Sequence, residues 1–420
     1  MTEFSAIEGG GVTSALGFTA AGIHAGFRKE PERGDLALVV ADDVCAAAGM
    51  FTQNIFCSAP VIVSREHLSD GGVGAPSYGA ARAVVINSGI ANAATGEPGL
   101  EHAREMARIT ADTVGCTEDE VLVASTGVIG QHLPMEPLKT GVPAAFAACS
   151  REGGATAARA IMTTDTHPKE YAVSFSGDAI GYAGRTFTVG GMSKGSGMIM
   201  PNMATMIAVI TTDAPVAAAH LSEILHSAVN VSFNKITVDS DTSTNDTCVT
   251  LASGAAAPGE EAFAPGTLAF KALAEAYRAV CVHLAREMAA DGEGATRLVT
   301  VNVTGAASDA DADACARTIA NSPLVKTAIY GHDANWGRIA GAAGRSGASF
   351  NQQDVSIDIM GIPVCRGGLT VPFDEGEALR RFEAPEIVLD IDLGAGTCET
   401  TMWTCDFSHD YVTINGDYRT

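Results

Sequence analysis

The sequence has 420 residues, of which 46% are hydrophobic, and a formal net charge of -23 at pH 7. A chain of this length exceeds the size at which one hydrophobic core usually stops growing, so two domains are predicted, and its hydrophobic content excludes global disorder. The negative charge, without a basic cluster to offset it, disfavours binding to nucleic acid and to anionic membranes.

The sequence also carries signals about its cellular location. Residues 1–11 contain neither the basic segment nor the apolar segment of a secretory signal. Apolar runs such as 203–210 are far shorter than the roughly 20 residues that a spanning helix needs. The ten cysteines form no C-x-x-C pair, a pattern typical of reduced thiols in the cytosol. A cytoplasmic protein is therefore predicted, with no membrane partner.

The first third of the chain alternates strand-like and helix-like segments. Short apolar runs at 36–41, 83–86 and 121–124 predict buried strands. Apolar residues at helical spacing over 100–114 predict a helix, and Gly115 follows as its stop signal. The class predicted from this alternation is mixed α and β.

The second half begins with two predicted helices, at 214–229 and 267–290, and its pattern then changes. We place a domain boundary near residue 295, which gives domains 1–295 and 296–420. The elements predicted beyond the boundary are a strand at 298–303, a helix at 310–320, and strands at 355–359, 387–391 and 400–407.

The segment with the most chemical information runs from Gly190 to Met206 and reads GGMSKGSGMIMPNMATM. Taken alone, its Lys-Gly-Ser-Gly part is typical of a flexible turn before an apolar strand. The phosphate-binding spacing G-x-x-x-x-G-K-[ST] is absent, because the lysine precedes the glycines, so nucleotide binding is not predicted. A threonine such as Thr205 in an apolar run is, by itself, most often an ordinary strand residue.

As a whole, this segment resembles the self-processing junction of the ornithine acetyltransferase family, the glutamate N-acetyltransferases of the arginine pathway. That family's pattern is close to K-G-[SA]-G-M-x-x-P-x-x-A-T-M, followed by a strand and T-T-D-A, which stands here at 211–214. Further family blocks occur in order along the chain, at 124–130, 162–166, 233–246, 291–296, 321–328, 335–338 and 411–415. The chain departs from the pattern at Ile90, usually Asn, and at Ala334, usually Pro.

The resemblance implies that the chain cuts itself between Ala204 and Thr205, giving chains 1–204 and 205–420. A threonine hydroxyl is a weak nucleophile until a base takes its proton. Cleavage would give Thr205 a free α-amine with a pKa of about 7.7–8.0, which suits general-base work near neutral pH. The resemblance assigns the nucleophile to Thr205.

Other site residues follow from the same resemblance. It assigns Thr126 and Gly127 to the oxyanion hole, where a hydroxyl and a backbone N–H can stabilise a tetrahedral intermediate. Lys194 can pair with a substrate carboxylate, and Glu293 can accept an ammonium group. The substrate-binding positions that the resemblance implies are Thr163, Lys194, Thr205, Glu293, Asn415 and Thr420.

A rival interpretation concerns the acidic block 239–246, whose Asp239, Asp241 and Asp246 could supply oxygen ligands to a divalent cation. The calcium-loop spacing fails, because the sixth position lacks glycine and the twelfth lacks glutamate. In the family this block is structural. No metal site and no cofactor are therefore predicted.

The activity implied by the resemblance is acetyl transfer from N-acetylornithine to glutamate through an acetyl-Thr205 intermediate, with acetyl-CoA as an additional donor in some family members. The implied fold is an α+β, α-β-β-α sandwich shared with self-processing amidases, with a smaller C-terminal α+β domain. The cleaved chains are expected to pair into a heterotetramer. Two alternatives stay open: a self-processing aminopeptidase or amidase of the same fold, and an unprocessed binding protein without activity.

Overall fold

A computed structural model describes residues 3–68, 77–200 and 206–417. These residues divide into two compact units. The first unit contains the described residues up to Asn234 together with Asp241–Met288, and the second contains Lys235–Ser240 and the described residues from Ala289 onwards. The units contain one sheet each among the described strands, and helices cover both, which confirms the predicted α+β class. Domains with the limits 1–295 and 296–420 stay a prediction.

The described strands of the first unit are β1 Ser5–Ala6, β2 Phe18–Ile23, β3 Leu36–Phe51, β4 Ser77–Ile90, β5 Val121–Val128, β6 Lys169–Ser176, β7 Thr186–Lys194, β8 Ile207–Thr212 and β9 Thr247–Ala252. Its described helices are α1 Ala59–His67, α2 Gly96–Val114, α3 Glu136–Ala148, α4 Gly154–Ala160, α5 Ala218–Asn230 and α6 Leu268–Ala290, the last two residues of α6 counting with the second unit.

The strands of the first unit run in the order β1-β6-β7-β8-β9-β3-β4-β5, with β2 paired to β3. The sheet folds over, because alternate residues of its two halves share one apolar core. Val84 of β4 and Leu122 of β5 lie in the same buried cluster as Val209 of β8 and Val249 of β9. Since side chains alternate across a strand, the intervening residues point outward.

Helices cover both outer faces of this folded sheet. On one side, Val85 and Val123 pack with Met106 of α2 in a second buried cluster. On the other side, the hydroxyls of Thr250 in β9 and Tyr277 in α6 are hydrogen-bonded at 2.7 Å. The first unit is therefore an α-β-β-α sandwich.

The described strands of the second unit are β10 Leu298–Ala306, β11 Ser356–Ile359, β12 Ile362–Arg366, β13 Leu369–Thr370, β14 Glu386–Asp392 and β15 Cys398–Cys405, in the order β13-β12-β11-β14-β10-β15. Its described helices are α7 Asp309–Ala320, α8 Pro323–Tyr330, α9 Trp336–Gly344, α10 Glu375–Arg381 and α11 His409–Asp417.

One apolar core holds the second unit together. Alternate residues of strand β10, such as Val301, pack with Ile319 of α7 and Ile339 of α9. Helix α7 begins where the Ser308 hydroxyl accepts the backbone N–H of Asp311, which satisfies one of the free donors at a helix N-terminus. Within the ranges that the structure describes, none of the helices in either unit combines the length and the apolar character needed to cross a bilayer.

Candidate active site

The predicted oxyanion residues lie at the end of β5, in the first unit. Thr126 is buried, and Gly127 has a φ of 131°, in the region that favours glycine. A Cβ atom at Gly127 would lie 2.2 Å from the carbonyl carbon of Gly89 in the neighbouring strand β4, so no larger residue fits. The register of β4 and β5 shifts here, at Ile90. The backbone at the end of β5 is therefore irregular, and position 127 requires glycine.

Buried amide side chains hold this strand end in place. Ser125 donates its hydroxyl to Asn87 Oδ1 at 2.5 Å, and Asn87 Nδ2 donates to the Ile90 carbonyl at 2.9 Å. Asn245 Nδ2 donates to the carbonyls of Ser125 and Ala91, each at 2.7 Å. Such a satisfied buried network makes the geometry around Thr126 rigid. Ile90, where the family usually has Asn, belongs to this network through its main-chain carbonyl. Its side chain is buried in the apolar cluster that also contains Val85 and Val123.

The other predicted residues of the first unit, Thr163 and Lys194, meet at the carboxylate of Asp165. The backbone N–H of Thr163 donates to Oδ2 at 2.9 Å, and Lys194 Nζ lies 3.9 Å from the same oxygen. Oδ1 accepts hydrogen bonds from Lys169 Nζ at 2.8 Å and from the Gly195 backbone N–H at 2.7 Å. Asp165 thus joins the loop of Thr163 to the end of β7.

This cluster is buried and carries charge. The side chains of Asp165, Lys169 and Lys194 are at most 3% exposed. Burial alone would raise the pKa of Asp165, but the charges of Lys194 and Lys169 and the hydrogen bonds from Lys169 and Thr163 hold it well below its usual range. The cluster therefore places two ammonium groups at the end of β7, and ammonium groups can pair with carboxylates.

In the second unit the predicted residues Glu293 and Asn415 contact each other. Asn415 Nδ2 donates to Glu293 Oε2 at 2.8 Å, and Glu293 is only 7% exposed. Asn415 lies on α11, whose Tyr411 ring stacks on Phe407 with centroids 4.6 Å apart. Lys326 Nζ lies 4.5 Å from the centroid of the Phe407 ring, and its amine also donates to Thr404 Oγ1 at 2.6 Å. The buried Lys326 therefore anchors the segment that leads to Asn415.

Three of the predicted residues, Ala204, Thr205 and Thr420, lie outside the described residues. The described chain resumes at Met206, directly before β8, and Lys194 is paired in register with Ile207. The described residues show no group of three or more His, Cys, Asp or Glu side chains that could hold a metal ion.

The sequence alone did not predict the structural roles of Asp165 and Asp246. Both stand in blocks that carry the family resemblance, at 162–166 and 233–246. The sequence motifs assign no role to Asp165, and they offer Asp246 only as a candidate metal ligand. For Asp165 the available signal is a single acidic residue in an otherwise small and neutral motif, whose burial only the fold reveals.

A family model and the sequence relatives identify one family. The model of the ArgJ family matches residues 19–420. A protein of Symbiobacterium thermophilum described as arginine biosynthesis bifunctional protein ArgJ is 49% identical over 98% of this chain and 99% of its own. The protein of the same description from Thermosynechococcus vestitus is 46% identical over 98% of each chain.

Solved structures with related sequences include two from bacteria. The crystal structure of arginine biosynthesis bifunctional protein ArgJ from Bacillus halodurans is 43% identical with a TM-score of 0.49, and covers 50% of this chain and 98% of its own. Ornithine acetyltransferase from Mycobacterium tuberculosis, solved with ornithine, is 37% identical with a TM-score of 0.42, and covers 48% of this chain and 99% of its own. On the family model and the sequence relatives, the chain belongs to the ArgJ family.

Proposed function

We propose that the protein moves an acetyl group from N-acetylornithine to glutamate, with Thr205 as the residue that carries it. The observation that supports this most is the buried cluster of Asp165, Lys169 and Lys194. Lys194 is the last residue of β7, and β7 pairs with β8, the strand that begins two residues after Thr205. A lysine ammonium group at this place can pair with the α-carboxylate of an amino-acid substrate. Membership of the ArgJ family supports the same activity.

The proposed first step is self-cleavage. The Thr205 hydroxyl oxygen attacks the carbonyl carbon of Ala204, the C–N bond breaks, and the nitrogen takes a proton to become the α-amine of Thr205. Water then hydrolyses the resulting ester, leaving a carboxyl group on Ala204 and a free hydroxyl on Thr205. The new amine is the base for later turnovers, because its pKa of about 7.7–8.0 suits proton transfer near neutral pH.

The proposed acetyl transfer repeats this chemistry with free substrates. The Thr205 hydroxyl attacks the acetyl carbonyl of N-acetylornithine, and ornithine leaves with a protonated amine. The amine of glutamate then attacks the acetyl ester, which restores the hydroxyl and releases N-acetylglutamate. In this proposal Lys194 pairs with the carboxylate and Thr126 and Gly127 bind the oxyanion, whereas Glu293 accepts an ammonium group. Thr163, Asn415 and Thr420 supply neutral hydrogen bonds.

The proposed oxyanion hole leads to a prediction for Thr126. Changing Thr126→Ala should lower kcat about 10²–10³-fold, as expected when one donor to a developing oxyanion is lost. Thr126→Ser keeps the hydroxyl and should stay close to the unchanged protein. Steady-state kinetics and urea unfolding would be measured on all three. An activity loss in Thr126→Ala that is matched by a loss of folding stability would instead assign Thr126 a structural part.

The acceptor separates the transferase from an amidase of the same fold. With N-acetylornithine alone, the protein should release about one ornithine per site and stop, which is the burst expected of a covalent intermediate. Glutamate should restart turnover and yield N-acetylglutamate. Mass spectrometry of the quenched protein should find one acetyl group on the chain that begins with Thr205. Steady ornithine release without glutamate would identify water as the acceptor and replace the transferase by the amidase.

The same assay tests Glu293. Glu293→Gln keeps a hydrogen-bond acceptor for Asn415 but removes the charge, so KM for the amino-acid substrate should rise about tenfold or more, with self-cleavage unchanged. Glu399→Gln, at an exposed position of β15, is the matched control. Because relatives are described as bifunctional, acetyl-CoA should be tested as a second donor in parallel.

A further inference from the structure

The carboxyl group of Asp246 lies deep in the first unit, directly before β9. Its Oδ1 accepts the backbone N–H of Met206 at 2.6 Å, and the residue is 0% exposed. The carbonyl of Met206 accepts the backbone N–H of Thr247 at 2.9 Å. Both main-chain polar groups of Met206 are therefore held by two consecutive residues of another part of the chain.

The surroundings of this carboxyl group are fixed from the opposite side as well. Thr52 donates its backbone N–H to the Asp246 carbonyl at 3.0 Å and its hydroxyl to the Ser243 carbonyl at 2.7 Å. Arg65, also buried, donates to the Thr52 carbonyl at 3.2 Å. Asp246 is therefore held on a rigid frame and cannot turn toward solvent.

Among the described residues, few groups could stabilise a negative charge on the Asp246 carboxyl group. Its Oδ2 atom is buried and makes no hydrogen bond with the described residues. Burial raises the pKa of Asp246 well above its usual range, although the Met206 N–H and the charge of Lys194 act in the opposite direction. Asp246 thus keeps its proton at pH values where an exposed aspartate has lost it.

The protonation state of Asp246 affects the ion pair between Lys194 and Asp165. Its ammonium group lies 3.9 Å from the carboxylate of Asp165, which also holds the Thr163 loop. An ionised Asp246 would compete with Asp165 for this ammonium group, since opposite charges attract strongly in a buried environment. A neutral Asp246 would not compete in this way and would still offer Oδ1 to Met206.

We infer that Asp246 is a positioning residue for self-processing, because it holds Met206, the residue that directly follows the proposed cleavage site. The inference rests on the proposed cleavage between Ala204 and Thr205. It assigns Asp246 no proton transfer, because what the geometry supplies is the hydrogen bond that Oδ1 accepts from the Met206 N–H.

Asparagine tests this inference directly, because its side chain has the shape of a protonated carboxyl group and presents the same acceptor and a donor. Cell-free translation followed by a chase would give the rate at which full-length chain disappears, between about pH 5 and 9. Asp246→Asn should cleave within about threefold of the unchanged chain at the acidic end. Asp246→Ala should cleave at least about tenfold more slowly, because a hydrogen bond to a buried backbone donor is lost.

The pH profile carries the sharpest distinction. The unchanged chain should slow by about tenfold or more as the pH passes the pKa of Asp246, whereas Asp246→Asn should show no such fall. Asp241→Asn, at an exposed position of the same block, should behave as the unchanged chain does. A purely structural part for Asp246 would lower the stability of a variant without separating the two profiles.

Each outcome has a defined meaning. Equal cleavage by Asp246→Ala and the unchanged chain would overturn the inference, as would identical pH profiles of the unchanged chain and Asp246→Asn. Slow cleavage by Asp246→Asn at every pH would also overturn it, because a proton transfer would then be required. If the unchanged chain itself never cleaves, the proposed function fails, and that failure is distinct from the others. Should Asp246→Ala not fold, the Asn variant and the pH profiles still decide.

Discussion

Changing Thr205→Ala is expected to leave one uncut chain of 420 residues and to abolish acetyl transfer. The proposed cleavage and the proposed transfer both use the same hydroxyl oxygen, so one substitution removes the nucleophile for both reactions. Denaturing gels and intact mass spectrometry would show a single species of 43.0 kDa in place of two fragments. The burst of ornithine should disappear together with the cleavage.

Thr205→Ser is the matched control, because it keeps a hydroxyl group and loses only a methyl group. It should still cleave, and Edman degradation should find the introduced serine as the new N-terminal residue of the second fragment. An uncut Thr205→Ala chain that transfers acetyl at the unchanged rate would contradict the proposed nucleophile. Cleavage at another bond in the unchanged protein would contradict the proposed junction.

Changing Asp165→Asn is expected to have the largest effect on folding. It removes the carboxylate that Lys169 and Lys194 both face, so each of these buried ammonium groups loses this negative charge. Breaking a buried ion pair by removing one partner typically costs about 3–5 kcal/mol. Urea unfolding would be followed in a Thr205→Ala background, so that the chain stays in one piece, with the exposed position Asp112→Asn as control.

Two further measurements identify the cause of this loss. Adding Lys169→Met to Asp165→Asn should recover part of the stability, because one of the two buried positive charges is removed. The pKa of Asp165 is depressed in the folded state, so its contribution is present above the ordinary value of 3.8 and is lost as the pH falls below it. The difference between the two chains should therefore shrink in acid. A difference that is the same at about pH 3 and about pH 7 would exclude the charge as its cause.

Apolar runs predicted the positions of many strands and helices but not their lengths. The strand predicted at 36–41 continues to Phe51 as β3, past the exposed pair Asp42 and Asp43. The pairing of β3 with β4 shifts between Val40 and Cys45, which leaves the charged residues in an exposed bulge. A rule that ends a buried strand at the first charge fails here, because the strand continues beyond the bulge to pair with β9.

Other differences arise from contacts distant in sequence. The helix predicted at 214–229 begins at Ala218, because Val216 pairs with Phe263 in a β-bridge. The strand β7 contains Gly190 and Gly191, residues that disfavour strands by themselves. A Cβ atom at Gly190 would lie 2.2 Å from the Gly11 carbonyl oxygen, so glycine is required by a neighbouring segment that local propensity does not include.

Candidate site residues could be predicted where they belong to a sequence motif. They could not be predicted where their role depends on a contact with a residue distant in the sequence. Lys194 stands inside the pattern of the self-processing junction. Asp165 and Asp246, by contrast, contact backbone groups 30 and 40 residues away in the chain, at Gly195 and Met206. Strand pairing brings these residues together. The sequence alone therefore shows the two aspartates but not the backbone groups that they bind.

The strand order of the first unit has a consequence for the assembly of a cleaved protein. Cutting before Thr205 would leave β8 and β9 on one fragment, hydrogen-bonded on one side to β7 and on the other to β3 of the other fragment. While the chain is whole, these strands meet at the high effective concentration of a tethered pair. Once it is cut, unfolded fragments must find each other by diffusion, and recovery from denaturation becomes a bimolecular reaction. The scissile peptide bond would then be needed only while the chain folds, because it keeps the two parts of the sheet on one molecule. After folding it would be dispensable.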